Sequence, residues 1–350
     1  MSNPHQHTHS TSDDKLVAQT YATTVGANTR RTIGEPHLRR SIAWLTIALL
    51  FPIQASATDI KIATWNLNWL TVRETGSPGL PPDLHTRAQA DFDRLRDYAA
   101  ELNADVVAVQ EVDGYEAIRR VFPTDLYHVV MSKDRVTQRV GIAIRRGIRY
   151  DPHPDVPLAP DQNARLRSGV DVTLKLGAQS LRLLAVHLKQ GCQNPKLDRV
   201  QGSNPASNQA SNQGMPPAMP PTMPLARAQG RDCQTLFGQA AQLRAWIGDR
   251  TAAGDAFVIL GDFNRWMDKR DPFIAQLRQS APLARATEGF ASPCWGAETF
   301  IDHILAGGPA RDWMRLETML VLKYRETGPE WKRRLSDHCP VSVRFALPDR

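Results

Sequence analysis

The sequence predicts an α+β fold, a four-layer sandwich of two packed mixed β-sheets flanked by helices. Three observations carry it. Strand-like and helix-like segments alternate from residue 58 onward, the pattern of helices packed on sheets. Several neighbouring strand segments read as hairpins, which argues against a doubly wound parallel sheet. The chain has 350 residues, 41% of them apolar and 23% charged, an ordinary globular composition with room for a large core.

The fold is expected to begin at residue 58. Residues 1–38 are polar, with His5, His7 and His9 near the start, and read as a disordered extension. Arg39 and Arg40 then precede an apolar run from Ile42 to Phe51 and the small-residue end Ala55-Ser56-Ala57. A positive start, a short apolar middle and an A-x-A end describe a signal peptide over 39–57, so export to a periplasmic or extracellular space is expected. No integral span is expected in the processed chain, because no run is long enough. The whole chain carries a net charge of +7 and stays basic after residue 57, which suits an anionic substrate without demanding one.

Ile60, Ile62 and Thr64 alternate with Lys61, Ala63 and Trp65, so residues 59–68 read as a strand with Asn66 and Asn68 at its far end. Three prolines and two glycines make 71–85 a loop. Ala88, Phe92, Leu95, Ala99 and Leu102 fall at helical spacing over 86–102. Residues 105–111 form an apolar strand that ends in Glu111. A short helix over 115–122 and strands over 127–132 and 140–145 follow, with Arg135, Arg139, Arg145, Arg146 and Arg149 read as a solvated cluster. Residues 170–176 and 181–188 pair around a Gly177–Ser180 turn, and the second ends at His187.

Residues 193–230 lose all apolar period and read as a low-complexity insertion. A helix resumes over 233–251. Residues 258–264, Val-Ile-Leu-Gly-Asp-Phe-Asn, are a buried strand rising to Asp262 and Asn264, where Gly261 permits a turn or a close approach. A helix is expected over 272–278 and strands over 300–305, 316–324 and 341–345. Asp302 lies on the first of these strands. His303 beside it should face the opposite way, as a structural residue. Cys192, Cys233, Cys294 and Cys339, an even set in an exported chain, read as two disulfides with three connectivities open.

Polar residues therefore gather at strand ends: Asn66, Asn68, Glu111, His187, Asp262, Asn264, Asp302, Asp337 and His338. Carboxylate oxygens suit a hard cation, a carboxylate can orient or deprotonate water, and imidazoles can meet developing charge on phosphorus. No Ser-His-Asp elbow, P-loop or HExxH motif competes.

Six stretches occur in a telling order: Thr64-Trp65-Asn66, Val109-Gln110-Glu111, Val186-His187-Leu188, Gly261-Asp262-Phe263-Asn264, Ile301-Asp302-His303 and Ser336-Asp337-His338. Together they resemble the endonuclease/exonuclease/phosphatase superfamily with its deoxyribonuclease-I-like fold, in an exported bacterial-type member. The resemblance implies a metal-dependent phosphoric ester hydrolase using Mg²⁺, with Mn²⁺ as a substitute. It implies that Glu111 is the principal metal ligand, with Asp337 and the amide of Asn66 or Asn68 beside it. It implies that Asp262 handles the attacking water, steadied by Asn264, and that His338, oriented by Asp302, meets the phosphate. His187 becomes a candidate general acid. Asn68 stands where abasic-site repair members often carry an aspartate, which speaks against a second metal and against that repair activity.

For the substrate, nucleic acid is favoured, so the expected activity is that of a nuclease; no stable protein partner is expected, and the chain is expected to act as a monomer. Lys332, Arg333 and Arg334, with Lys323 and Arg325 before them, stand where they could grip phosphates. The alternatives are a sphingomyelinase-like phospholipase or a sugar or inositol phosphatase of the same fold. The expected disulfide pairs are Cys192–Cys233, closing the insertion into a tethered loop, and Cys294–Cys339, bracing the strands that carry Asp302 and Asp337-His338.

Overall fold

Two six-stranded mixed sheets lie face to face in the computed structural model, which describes residues 58–158, 166–194, 223–296 and 299–349. The extension and signal peptide expected over 1–57, and most of the insertion expected over 193–230, lie outside the described residues. The first sheet uses β1 (Thr58–Leu70), β2 (Val106–Val112), β3 (Tyr127–Met131), β4 (Arg139–Arg145), β11 (Met314–Val321) and β12 (Val341–Leu347), in the order β11-β12-β1-β2-β4-β3. The second uses β5 (Arg149–Pro152), β6 (Val170–Leu176), β7 (Gln179–His187), β8 (Phe257–Asp262), β9 (Leu283–Arg285) and β10 (Asp302–Gly307), in the order β5-β6-β7-β8-β10-β9.

Each sheet has one parallel pair at its centre, β1 with β2 and β7 with β8, and antiparallel neighbours on both sides. That repeated plan sets the site. The C-terminal ends of parallel central strands point one way, and an antiparallel neighbour meets them with its N-terminal end. Residues after β1, β2, β7 and β8 and residues before β10 and β12 therefore share one rim.

The inner sheet faces meet in a core that includes Ile60, Ile62, Ala108, Ile142, Leu183, Leu260, Ile304 and Phe345. The outer face of the first sheet is covered by α1 (Gln89–Leu102) and α2 (Tyr115–Val121) through Trp65, Leu95, Tyr98 and Phe122. The outer face of the second is covered by α3 (Met223–Ala252) and α4 (Pro272–Arg278) through Leu236, Leu243, Phe257 and Phe273. Alternation of side chains across each strand feeds both layers at once, which is why the strands read as nearly continuous apolar runs.

Several boundaries differ from expectation. α1 starts at Gln89, because Arg87 is drawn into the interior and Asp91 accepts from the Ala88 amide. α3 starts at Met223, so residues 223–230 of the expected insertion are helical; Pro224 is tolerated in a first turn, and Leu225, Ala226, Arg227 and Ala228 favour helix. β5, β9, α5 (Ala310–Trp313) and α6 (Pro329–Arg334) are additional elements. α4 matches its expected span, and Asp271 caps it by accepting from the amides of Phe273 and Ile274.

Cys192 is bonded to Cys233 and Cys294 to Cys339. Arg265, fully buried, ties the first bridge to the loop after β8: it donates to the Cys192 carbonyl at 2.8 Å and pairs with Asp271 at 2.7 Å. Peptide mapping of non-reduced protein is expected to recover these two pairs. Opening either loop should cost on the order of 3–4 kcal/mol in the chain-entropy model. Free thiols at all four positions in protein recovered from an oxidising compartment would contradict the pairing.

Candidate active site

The rim defined by the sheet plan carries nearly all of the expected residues. Asp262 ends β8, and its register partners are His187 on β7 and Asp302 on β10, so these three stand abreast across the second sheet. Asn66 and Glu111 approach from the first sheet at irregularities in β1 and β2, where the pairing register slips between Asn66 and Leu70 and between Val109 and Val112. Such bulges re-aim side chains next to functional sites. Asn68, Trp69, Glu111 and Asn264 all hold positive φ, from 44° to 60°, a concentration of backbone strain at one rim. Gly261 is needed for a different reason. A Cβ there would lie 1.9 Å from the Val186 carbonyl oxygen, so only glycine lets β7 and β8 close up under Asp262.

Asn66 joins the two sheets. It is buried, and its Nδ2 donates to Glu111 Oε1 and to Asp262 Oδ2, both at 3.1 Å. Its Oδ1 accepts from the Asn68 amide at 2.9 Å. In this orientation the amide offers its donor end to both carboxylates and braces them. Asn68 donates its own Nδ2 to the Lys332 carbonyl at 3.0 Å, which ties β1 to α6. Glu111 also accepts from the Trp69 amide and from Gln138, and keeps partial exposure.

Asp262 accepts from the Asn264 amide at 2.8 Å and from Asn264 Nδ2 at 3.2 Å. Burial pushes its carboxyl up to about 7, helped by Asp302 and opposed by His338 and the bonds from Asn264 and Asn66. His338 Nδ1 is 2.7 Å from Asp302 Oδ2. Burial alone would lower its pKa, but Asp302, with Asp262 and Asp337 behind it, raises it well above the usual imidazole range. His338 is therefore an imidazolium, with Nε2 4.0 Å from both Asp262 and Asp337. Asp337 is half exposed at the mouth.

His187 Nε2 lies 2.8 Å from Arg167 Nη2, 3.5 Å from Asp262 and 3.7 Å from Glu111, and a guanidinium only donates, so the nitrogen is the acceptor in the Arg167 contact. Burial, then Arg167 and His338, hold its pKa well below the usual range. Arg167 is the functional residue the sequence reading missed. It stands ahead of β6 with no pattern around it, and the fold alone carries its guanidinium to His187, in the field of Glu111 and Asp262.

The basic trio also divides. Arg334 pairs with Asp91 at 2.8 Å and covers the Trp331 ring, so it belongs to the α1–α6 contact rather than to a substrate surface. Lys332 lines the cleft with its ammonium over Trp295, and Arg333 is exposed. The cleft, about 650 Å³, is lined by Asp302, Asp337, His338 and Lys332 among others. Arg87 supports it from below, donating to the carbonyls of Leu67, Asn68, Trp69, Arg334 and Leu335.

Two groups could hold a cation. Asp262, Asp302 and His338 offer ligand atoms within 4.8 Å of one another. His338 in that trio is already bonded to Asp302. Glu111 and Asp337, the carboxylates that keep partial exposure at the rim, are the other candidates for a hard divalent ion.

A sandwich of two mixed sheets with paired acids, amides and an acid-held imidazolium on one rim defines a phosphoesterase of the deoxyribonuclease-I-like fold. The chain belongs to the endonuclease/exonuclease/phosphatase family, whose pattern it matches over residues 63–338. Among solved structures it is similar to truncated TDP2 from Caenorhabditis elegans, at 13% identity and a TM-score of 0.52, covering 83% of this chain and 98% of that one. It is also similar to D. rerio TDP2 complexed with single strand DNA product, at 17% identity and a TM-score of 0.50, covering 82% and 99%. Identities this low speak to the fold. No curated protein sequence matches the chain.

Proposed function

We propose that this protein is an exported, Mg²⁺-dependent phosphodiesterase that hydrolyses nucleic acid. The observation that carries the chemistry is Asn66, which binds Glu111 and Asp262 at once and so fixes a metal-side carboxylate against a water-side carboxylate. Glu111 and Asp337 would hold the divalent ion, which would supply Lewis-acid polarisation of a phosphoryl oxygen. Asp262, its affinity for a proton raised by burial, takes the proton of the attacking water. Asn264 keeps that carboxylate in place. The imidazolium of His338 meets the phosphate and donates towards the leaving oxygen, its charge sustained by Asp302. Arg167 adds a second cation beside His187.

Export is supported by the signal-like leader and by two disulfides, which suit an oxidising compartment. No helix among the described residues is long and apolar enough to cross a membrane. Nucleic acid is supported by the basic chain, by Lys332 in the cleft with the exposed Arg333 next to it in sequence, and by the similar structure that holds a DNA product. A panel at fixed Mg²⁺ (plasmid, single-stranded DNA, RNA, sphingomyelin and sugar phosphates) tests the reading. Turnover of sphingomyelin or a sugar phosphate with none of DNA or RNA would replace the substrate and leave the chemistry.

If Lys332 and Arg333 grip the polymer, replacing both with glutamine should raise KM for DNA about 3–10-fold. It should also reduce the slope of log affinity on log salt by about 1–2, since each lost phosphate contact releases less counterion. Equal KM and equal salt slopes would remove these residues from the substrate surface.

A further inference from the structure

A second cavity, about 390 Å³, adjoins the catalytic cleft, and Trp266, Thr299 and Phe300 line both. Its size is that of a small-molecule site. Arg285 of β9 lines it at 6% exposure, yet among the described residues its guanidinium has no hydrogen bond or ion pair, and its Nε is wholly shielded. Of the acids nearest in charge, Glu288 pairs with Arg278 and Asp271 with Arg265. The third, Asp268, lines the cavity as its one carboxylate; it is exposed and accepts from the Arg270 amide. His303 uses both ring nitrogens, on Thr287 and on the Arg265 carbonyl, and burial brings its pKa down to about 3. Lys269 is exposed at the rim, and Trp266 and Phe290, 39% and 54% exposed, present aromatic surface at the mouth.

A buried guanidinium is normally satisfied, and one left without a protein partner in an open pocket is a receptor for an anion. Aromatic faces beside it accept a flat ring whatever its hydrogen-bonding edge. We propose that this cavity is a nucleotide subsite, in which Arg285 takes a phosphate and Trp266 and Phe290 take the attached base, next to the scissile position. The proposal rests on the nucleic-acid reading above and adds to it where a flanking nucleotide of the substrate sits.

Adenosine 5′-monophosphate and inorganic phosphate, titrated calorimetrically into chelator-treated protein, test it. Arg285→Gln should weaken both ligands at least 10-fold, and Arg285→Lys should recover part of the loss. Trp266→Ala should weaken the nucleotide about 10-fold and leave inorganic phosphate alone. Unchanged nucleotide affinity in a folded Arg285→Gln variant would overturn the subsite. Should that variant fail to fold, unchanged nucleotide affinity in Trp266→Ala would do so. Failure of the polymer reading looks different: nucleotide affinity that depends on Arg285, in a protein that cleaves no oligonucleotide, keeps the subsite and rejects the polymer as substrate.

Discussion

Asp302→Asn and His338→Ala are each expected to lower kcat by about 10²–10⁴, the range for one electrostatic or acid–base group. The double variant is expected to lose little more. His338 owes its charge to a carboxylate 2.7 Å away, so removing that carboxylate returns the ring to the lowering effect of burial. The imidazole then stays in place without its proton. Removing the ring leaves Asp302 with nothing to sustain. Residues that act as a unit are non-additive in this way. Asp262→Asn should cost a similar factor by a separate route, because an amide cannot take a proton from water. Rapid-quench turnover of one defined substrate by the four proteins is the measurement. Multiplied losses in the Asp302–His338 double variant would mean the two groups act independently.

Glu111→Gln is expected to raise the Mg²⁺ concentration for half-activity by at least 10–100-fold, the scale seen when metal-site partners are altered. Chelation should abolish wild-type activity, and added Mg²⁺ should restore it. The substitution is nearly isosteric, and its one amide oxygen can keep either the Asn66 bond or those of Trp69 and Gln138, so the fold should hold with a modest fall in melting temperature. What is lost is the negative charge that a hard cation prefers. Full activity of the variant at low Mg²⁺ would remove Glu111 from the metal site.

The catalytic rim was legible in the sequence because it is built from strand ends. Glu111, Asp262 and His187 each interrupt an apolar run, and an apolar run that stops at a charged residue is a local signal. Asp302 and His338 needed one more step, since Asp302 begins its strand and His338 precedes its own, and antiparallel pairing with β8 and β1 is what brings them to the same rim. The short elements β5, β9, α5 and α6 carry too few residues for a period to emerge. Arg167 and Arg285 were invisible for a stronger reason. A buried arginine has the same sequence signature as an exposed one, and only the packed sheets determine which guanidinium is enclosed. The Arg167 contact of His187 was hidden on the same ground, since the packed sheets and not the local sequence bring the two side chains together.

The pairing of β1 with β12 sets Thr58 opposite Leu347. On the ribosome, or emerging from a membrane pore, the first strand of this domain is made long before its neighbour exists. The strand bearing Asn66 therefore waits with one edge bare while almost the whole domain is still to come, and closure of that gap is slow and exposed to aggregation. Catalytic competence is thus a property of the completed chain and arrives last. A product terminated ahead of Val341 would contain every acid and amide described above and still lack the strand that pairs with Thr58–Thr64, the stretch that leads to Asn66.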